Sequence, residues 1–318
     1  MIDFPPQLSC VPVESNTMFN AKSYRFALTN SIYNLDSGYQ KFFNEHAGFP
    51  KFKSKHTHHY SYTTNFTNNN IEVKFDDNSI KLPKLKTVKC KLHRKFTGRI
   101  KSAAISQMPS GKYFVSVLVE QSKDAPLPQN SKVYAFDLGL KEFLIDNNGN
   151  HIKNPEPLYR YEQKLAQLQR QIAKKKKGSK NWCKQRIKIA RLHEKISNIR
   201  TNFQHELSSG IINENQVIIS EDLNVKGMIK NPKLAKRIAD TAWSEFCRQL
   251  DYKAKWYGRT YHKIDRWFAS SQTCSECGSK NKEVKLLSIR EWVCKNCDTA
   301  HQRDENAAKG IMELGIVV

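Results

Sequence analysis

The chain has 318 residues and a formal charge of +23, from 53 Lys+Arg against 30 Asp+Glu, with 39 % apolar and 10 % aromatic residues. That length and aromatic content exclude a single small module and general disorder. A charge excess of this size repels itself in a compact state and points to a polyanionic partner. No apolar run reaches the roughly 20 residues of a membrane span. Residues 1–10 lack the basic and apolar regions of a signal peptide. The expected setting is cytoplasmic and nucleoid-associated, with no membrane partner.

Residues 1 to about 20 show no periodicity. Beyond them Leu28, Ile32, Leu35, Tyr39 and Phe42 recur at spacings of three and four, predicting a helix with one apolar face that ends before Gly48 and Pro50. Lys51, Lys53 and Lys55 then alternate around Phe52, which in an extended segment sets three ammonium groups on one side. Such a run is either a phosphate track or a solvated loop. Residues 71–75, 80–85 and 113–119 carry strand patterns, separated by the turn signals Asp77-Asn78 and Ser110-Gly111, and predict a small β-barrel or sheet. Pro126 and Pro128 mark a linker.

A second domain opens with strands at 133–138 and 142–146. Two helical patterns follow: Leu158, Tyr161, Leu165, Leu168 and Ile172, then Ile189, Leu192, Ile196, Ile199 and Phe203. The break between them holds Lys174, Lys175, Lys176, Lys177 and Gly178, so an antiparallel helical hairpin is expected over about 157–208. Mutual packing accounts for both seams. The basic tip, with Lys184 and Arg186 beside it, is a candidate nucleic-acid contact. Residues 216–220 form a short buried strand, 234–257 one helix, 261–268 a strand, and a last helix starts near Asp304.

Four of the eight cysteines form two knuckles, Cys274-Ser-Glu-Cys277 and Cys294-Lys-Asn-Cys297, sixteen residues apart. This spacing matches a zinc ribbon. Four thiolates close a tetrahedron and leave no open position, so the site is structural, over about 270–300. Iron is the alternative metal.

Three carboxylates stand apart from the rest. Asp137 ends the apolar strand Val-Tyr-Ala-Phe-Asp, Glu221 ends Val-Ile-Ile-Ser-Glu, and Asp304 begins the last helix. A carboxylate at the tip of a buried strand is costly unless something compensates it, and divalent cations held by several carboxylates do so while activating water against a phosphodiester. The plainer readings are an N-cap for Asp304 and strand-end capping for Glu221, with Asp222 as a competing ligand.

At these residues the sequence resembles TnpB (orfB), a family of transposon-encoded RNA-guided DNA endonucleases related to type V CRISPR effectors. The resemblance is carried by Phe136-Asp-Leu-Gly-Leu-Lys-Glu142, Ser220-Glu-Asp-Leu-Asn-Val-Lys-Gly-Met228, residues 243–258, Ser270-Ser-Gln-Thr-Cys-Ser-Glu-Cys-Gly278 and residues 292–308. Residues 39–55 and 98–120 match as well, and the likeness spans roughly 25–318. It implies an α/β fold: a RuvC-like (RNase H-type) nuclease domain over 130–318 with an inserted zinc ribbon, preceded over 1–125 by a β-barrel wedge-like domain and a partial helical recognition segment. It further implies Mg²⁺ held by Asp137, Glu221 and Asp304 as catalytic residues, Zn²⁺ held by the four cysteines, and guide RNA and target DNA as partners. Guide pairing would read sequence while the protein reads shape and an adjacent motif. Because the match begins after about residue 20, the resemblance implies a chain shortened at its N-terminus. Two other functions stay open: a non-cleaving RNA-guided DNA-binding protein, repressor-like or decayed, and a strand-joining transposase.

Overall fold

The computed structural model describes residues 25–51, 60–121, 125–286 and 288–317. Lys53, Lys55 and residues 1–20 lie outside this range. The chain divides into two compact units, Met1–Ser122 with Gln163–Glu194, and Lys123–Glu162 with Lys195–Val318.

In the first unit, α1 (Arg25–Asn44) forms where the three-four spacing places it, yet buries none of its residues. Leu28, Ile32 and Leu35 are exposed, so the expected apolar face has no covering layer among the described residues. Phe49 packs edge-on against Tyr39 and Phe42 beyond the helix end. Six strands follow in two antiparallel sheets. One has the order β1-β5-β6 (Tyr60–Asn65, Arg99–Gln107, Tyr113–Glu120), the other β2-β3-β4 (Glu72–Lys74, Ser79–Leu82, Lys86–Lys89). Ile71, Ile80, Leu82, Ala103, Ile105 and Tyr113 form their common core. The period-two burial of Ala103, Ile105 and Gln107 along β5 shows how alternation selects the inward face. The run at 80–85 is not one strand. Lys84 and Lys86 take positive φ values of 65° and 56° and turn the chain into β4, whose single apolar residue, Val88, gives little pattern to read.

The distal parts of α2 (Pro157–Ala173) and α3 (Lys180–Glu214) belong to the same unit. Leu165 and Leu192 are buried there, and Gln185 donates across the pair to the Leu168 carbonyl (3.2 Å) and Gln171 Oε1 (2.9 Å). The hairpin runs past 208, because Ile211 and Ile212 carry the apolar seam of α3 into the core of the second unit.

That second unit is built on a five-stranded mixed sheet of order β11-β10-β7-β8-β9 (Thr260–Ile264, Val217–Glu221, Val133–Leu138, Glu142–Asp146, His151–Lys153). β7, β10 and β11 are parallel, and β8 and β9 return antiparallel. On one face Phe136, Leu138 and Ile218 pack with Trp243, Phe246 and Leu250 of α6 (Trp243–Tyr257). On the other, Ala135, Ile219 and Ile264 pack with Ile311 of α7 (Arg303–Val317). After the short α4 (Val225–Met228), the helix expected over 234–257 is two helices, α5 (Ala235–Thr241) and α6. The break is at Ala242, with φ +51°. Gln204 of α3 meets it, donating to the Thr241 and Ala242 carbonyls at 2.8 and 3.1 Å. The strand expected to reach Phe268 ends at Ile264, where Asp265 starts a turn. Between β11 and α7 lies a small lobe with the hairpin β12 (Glu291–Val293) and β13 (Ala300–Gln302). Among the described residues no helix is long and apolar enough to cross a membrane.

Candidate active site and cysteine cage

The parallel register pairs Ser220 with Phe136. The following residues, Glu221, which ends β10, and Asp137, the penultimate residue of β7, therefore stand at one level on neighbouring strands. Alternation turns both side chains to the face of Ala135 and Ile219, the face on which α7 packs. Asp304 lies in the first turn of α7. The three carboxylates come together there. Burial pushes the Asp137 carboxyl well above the usual range, and the charges of Glu221 and Asp304 push it further, against an opposing pull from Arg303. Burial also raises Glu221, which accepts a short hydrogen bond from the Ser270 hydroxyl.

The N-cap reading of Asp304 does not survive, and Asp222 is engaged by other partners. Asp304 is not the cap of α7: Gln302 Oε1 accepts the Glu305 N–H at 2.8 Å, while Asp304 Oδ2 accepts from Arg290 at 2.7 Å. Asp222 does not compete with Glu221. It is drawn to Arg266 and to Lys263 (3.4 Å), and although desolvation pushes its carboxyl up, those two cations hold it below its usual range. A cleft of about 500 Å³ lined by Leu138, Trp243, Cys247 and Tyr261 opens on the α6 face and includes none of the three carboxylates.

The four cysteines converge, with their sulfur atoms all within 4.8 Å of one another. Cys274 and Cys297 are 3.7 Å apart, Cys277 and Cys294 3.6 Å. A tetrahedron of metal–sulfur bonds of about 2.3 Å has edges of about 3.8 Å, so the cage already has the dimensions of a zinc site. Both knuckles use one backbone plan. Gly278 N–H donates to the Cys274 carbonyl at 2.9 Å and Asp298 N–H to that of Cys294 at 3.0 Å, with φ of +71° and +54°. The Ser279 hydroxyl contacts Cys277 and Cys294 and holds both thiols below their usual range, Cys277 down to about 5. Burial pushes Cys274 up to about 12, and His301 Nε2 stands 3.1 Å from its sulfur. Among the described residues, no other group of three or more Cys, His, Asp or Glu is drawn together this tightly. The carboxylates are more open.

Several partners of these groups carry no sequence signal of their own. Asn306, almost fully buried, accepts the Ser275 N–H at 2.9 Å and donates to the Thr273 carbonyl at 2.7 Å, stapling α7 to the first knuckle. Arg290 holds Asp304 through its side chain and accepts the Arg303 N–H through its carbonyl at 2.7 Å. Arg303 is buried, with Nε and Nη1 lacking a protein partner. Only His301, four residues past a knuckle cysteine, could have been suspected from spacing. Of the expected nucleic-acid contacts, Lys51, Lys174, Lys176, Lys177 and Lys184 are exposed and Lys175 is half-buried. Arg186 stacks over Trp182 at 5.4 Å.

The fold and cage thus define a mixed α/β protein with a four-cysteine lobe, compatible with a zinc ribbon, set between a sheet strand and the helix that completes a carboxylate cluster. A family model described as "Probable transposase" (OrfB_IS605) matches residues 116–232, and one described as the Cas12f1-like TNB domain matches 243–311. The chain is 30 % identical over 307 residues to "Putative RNA-guided DNA endonuclease InsQ" of Escherichia coli (strain K12), covering 92 % of this chain and 74 % of that protein. It is 40 % identical over 215 residues to a "Putative RNA-guided DNA endonuclease" of Streptomyces pristinaespiralis, covering 68 % of this chain but about half (53 %) of the relative. A solved Cas12f1–sgRNA–target DNA complex aligns with a TM-score of 0.43 at 17 % identity, over 90 % of this chain and 78 % of that one. The chain belongs to the TnpB (OrfB_IS605) family of transposon-encoded proteins.

Proposed function

We propose that the protein is a metal-dependent DNA endonuclease guided by RNA, with Asp137, Glu221 and Asp304 as its catalytic residues in a RuvC-like (RNase H-type) domain. The observation that carries this reading is the convergence of three carboxylates from β7, β10 and α7 on one sheet face, where Asp137 is opposed by the charges of the other two. A cluster that raises its own proton affinity fits hard divalent cations, which relieve the repulsion. Magnesium bound there would supply the Lewis acidity that activates water and stabilises the leaving oxygen of a phosphodiester. Asp137, on the sheet, provides the fixed ligand. Ser270 orients Glu221, and Arg290 holds Asp304 until a cation competes for it. Names of the relatives agree with an RNA guide and a DNA target, and the net charge of +23 suits both polyanions.

The cysteine cage fits zinc in number, chemistry and edge length, and its role is structural. Through Asn306 and Arg290 the lobe fixes the start of α7, and so the position of Asp304. The basic hairpin tip and Lys51, Lys53 and Lys55 are assigned to phosphate contacts. With a matched guide RNA and Mg²⁺, the purified protein is expected to cut target DNA, and Asp137→Ala to lower cutting at least about a hundred-fold. Equal cutting by the variant would overturn the assignment. Target binding without cutting in any divalent metal would instead support a non-cleaving binder, and strand-transfer products a transposase.

A further inference from the structure

The turn between β11 and the cysteine lobe is tied to Glu221 at both ends. Ile264, the last residue of β11, is the ladder partner of Glu221. Ser270, where the lobe begins, donates to the Glu221 carboxylate. Only five residues lie between. Asp265 sets their shape: its Oδ1 accepts the Trp267 N–H at 2.9 Å, and its carbonyl accepts the Phe268 N–H at 3.1 Å. Phe268 turns inward against the Ala135, Ile219, Ile264 and Ile311 cluster. Trp267 therefore turns outward, and its side chain is 85 % exposed, more than any other large apolar residue in the described part of the chain.

An indole so fully in water gives up the burial that normally repays a tryptophan. This one is not on a loose tip. The Asp265 turn, the Phe268 anchor and the Ser270–Glu221 bond fix it from both sides. Two residues separate it from Ile264 and two from Ser270, so its Cα is within about 11 Å of either. Along a nucleic-acid strand rising about 3.4 Å per nucleotide, that reach is roughly three nucleotides. Arg266, the residue before the indole, and Lys263, at the end of β11, are both paired to Asp222, so the chain just ahead of Trp267 carries two cations.

We infer that Trp267 is a stacking platform for an unpaired nucleobase of the DNA strand that runs past the carboxylate cluster. The indole face holds a base by π-stacking that tolerates any sequence, and so fixes where the strand stops relative to Asp137, Glu221 and Asp304. Its partner is single-stranded DNA, because a base inside a duplex has no free face to offer. The inference rests on the nuclease reading for its purpose, and its test is independent of cleavage.

The test is a titration of the purified, zinc-loaded protein, in magnesium-free buffer without chelator, with single-stranded DNA carrying 2-aminopurine, whose fluorescence falls when the base stacks. The wild type is expected to quench the probe. Trp267→Phe keeps most of the quenching, while Trp267→Ala loses it and binds about ten-fold more weakly. Thermal stability and zinc content should be unchanged, since the side chain supports nothing in the fold. Equal affinity and quenching in Trp267→Ala, or equal loss in Trp267→Phe, would overturn the inference. Because the readout is stacking and no magnesium is supplied for cutting, these outcomes do not depend on whether Asp137→Ala abolishes cleavage, so failure of one reading is distinguishable from failure of the other.

Discussion

The cysteine cage and the carboxylate cluster are joined by a short stretch of chain and are assembled on opposite principles. The cage takes its ligands from two tight turns of one plan, and local hydrogen bonds such as Gly278 to Cys274 bring the sulfurs to tetrahedral spacing. The cluster takes one residue from each of three elements, and nothing local makes them meet. Repulsion opposes them instead, as the part of the raised proton affinity of Asp137 that comes from Glu221 and Asp304 shows. A site made by turns is ready for its ion. A site made by tertiary packing waits for one, and its geometry is only as good as the elements that carry it. Here the cage is one of the devices that hold those elements.

That dependence can be broken at the cage. Cys294→Ser removes one corner of the tetrahedron, and structural zinc contributes on the order of 10 kcal/mol to folding a lobe this small. The expected result is loss of bound zinc and a large loss of cleavage, because Arg290 and the start of α7 are no longer held against each other. Zinc content by atomic absorption and cleavage of guide-matched DNA check it together. Full activity with the zinc gone would separate the two regions.

A gentler break leaves the cage intact and cuts only the staple. Asn306→Ala removes one buried and one part-buried hydrogen bond, to the Ser275 N–H and the Thr273 carbonyl, for about 2–3 kcal/mol of stability. Zinc should be retained while the unfolding midpoint and cleavage both fall. A variant with normal cleavage would show that the cage positions Asp304 by some route other than this residue.

The same contrast explains what the sequence made legible. The cage was visible because its information is local: two C-x-x-C pairs at a fixed spacing. The strands ending in Asp137 and Glu221 were visible because an acid at the end of an apolar run has no ordinary reason to be there. The family resemblance, more than any pattern, suggested that three distant acids should meet. What stayed hidden depends on other elements. The break at Ala242 is met by a glutamine on α3 that bonds the carbonyls there. Arg290, Ser270 and Asn306 acquire their roles only when the lobe folds back on the sheet. Periodicity found α1 but could not say whether its apolar stripe is covered, because periodicity reports a face and not its partner.

The smallest expected effect concerns the repulsion itself. Asp137 has its proton affinity raised in the folded protein by burial and by Glu221 and Asp304, with Arg303 opposing. The folded state therefore holds a proton that the unfolded chain has released, and stability without metal falls as pH rises from the unfolded value, near 3.8, through the raised folded one. Asp137→Asn removes that titration. In magnesium-free buffer the variant should equal the wild type near pH 4 and gain on it as pH rises, levelling once pH passes the raised folded value. Magnesium should reverse the order, because cation binding stabilises only a protein that keeps its ligands. Thermal melts of the zinc-loaded protein from pH 4 to 8, without and with Mg²⁺, decide the matter. A difference that is constant across pH, or that Mg²⁺ leaves unchanged, would mean that the carboxylates are neither strained against one another nor arranged for a cation, and the contrast between a ready site and a waiting one would fail at its weaker member.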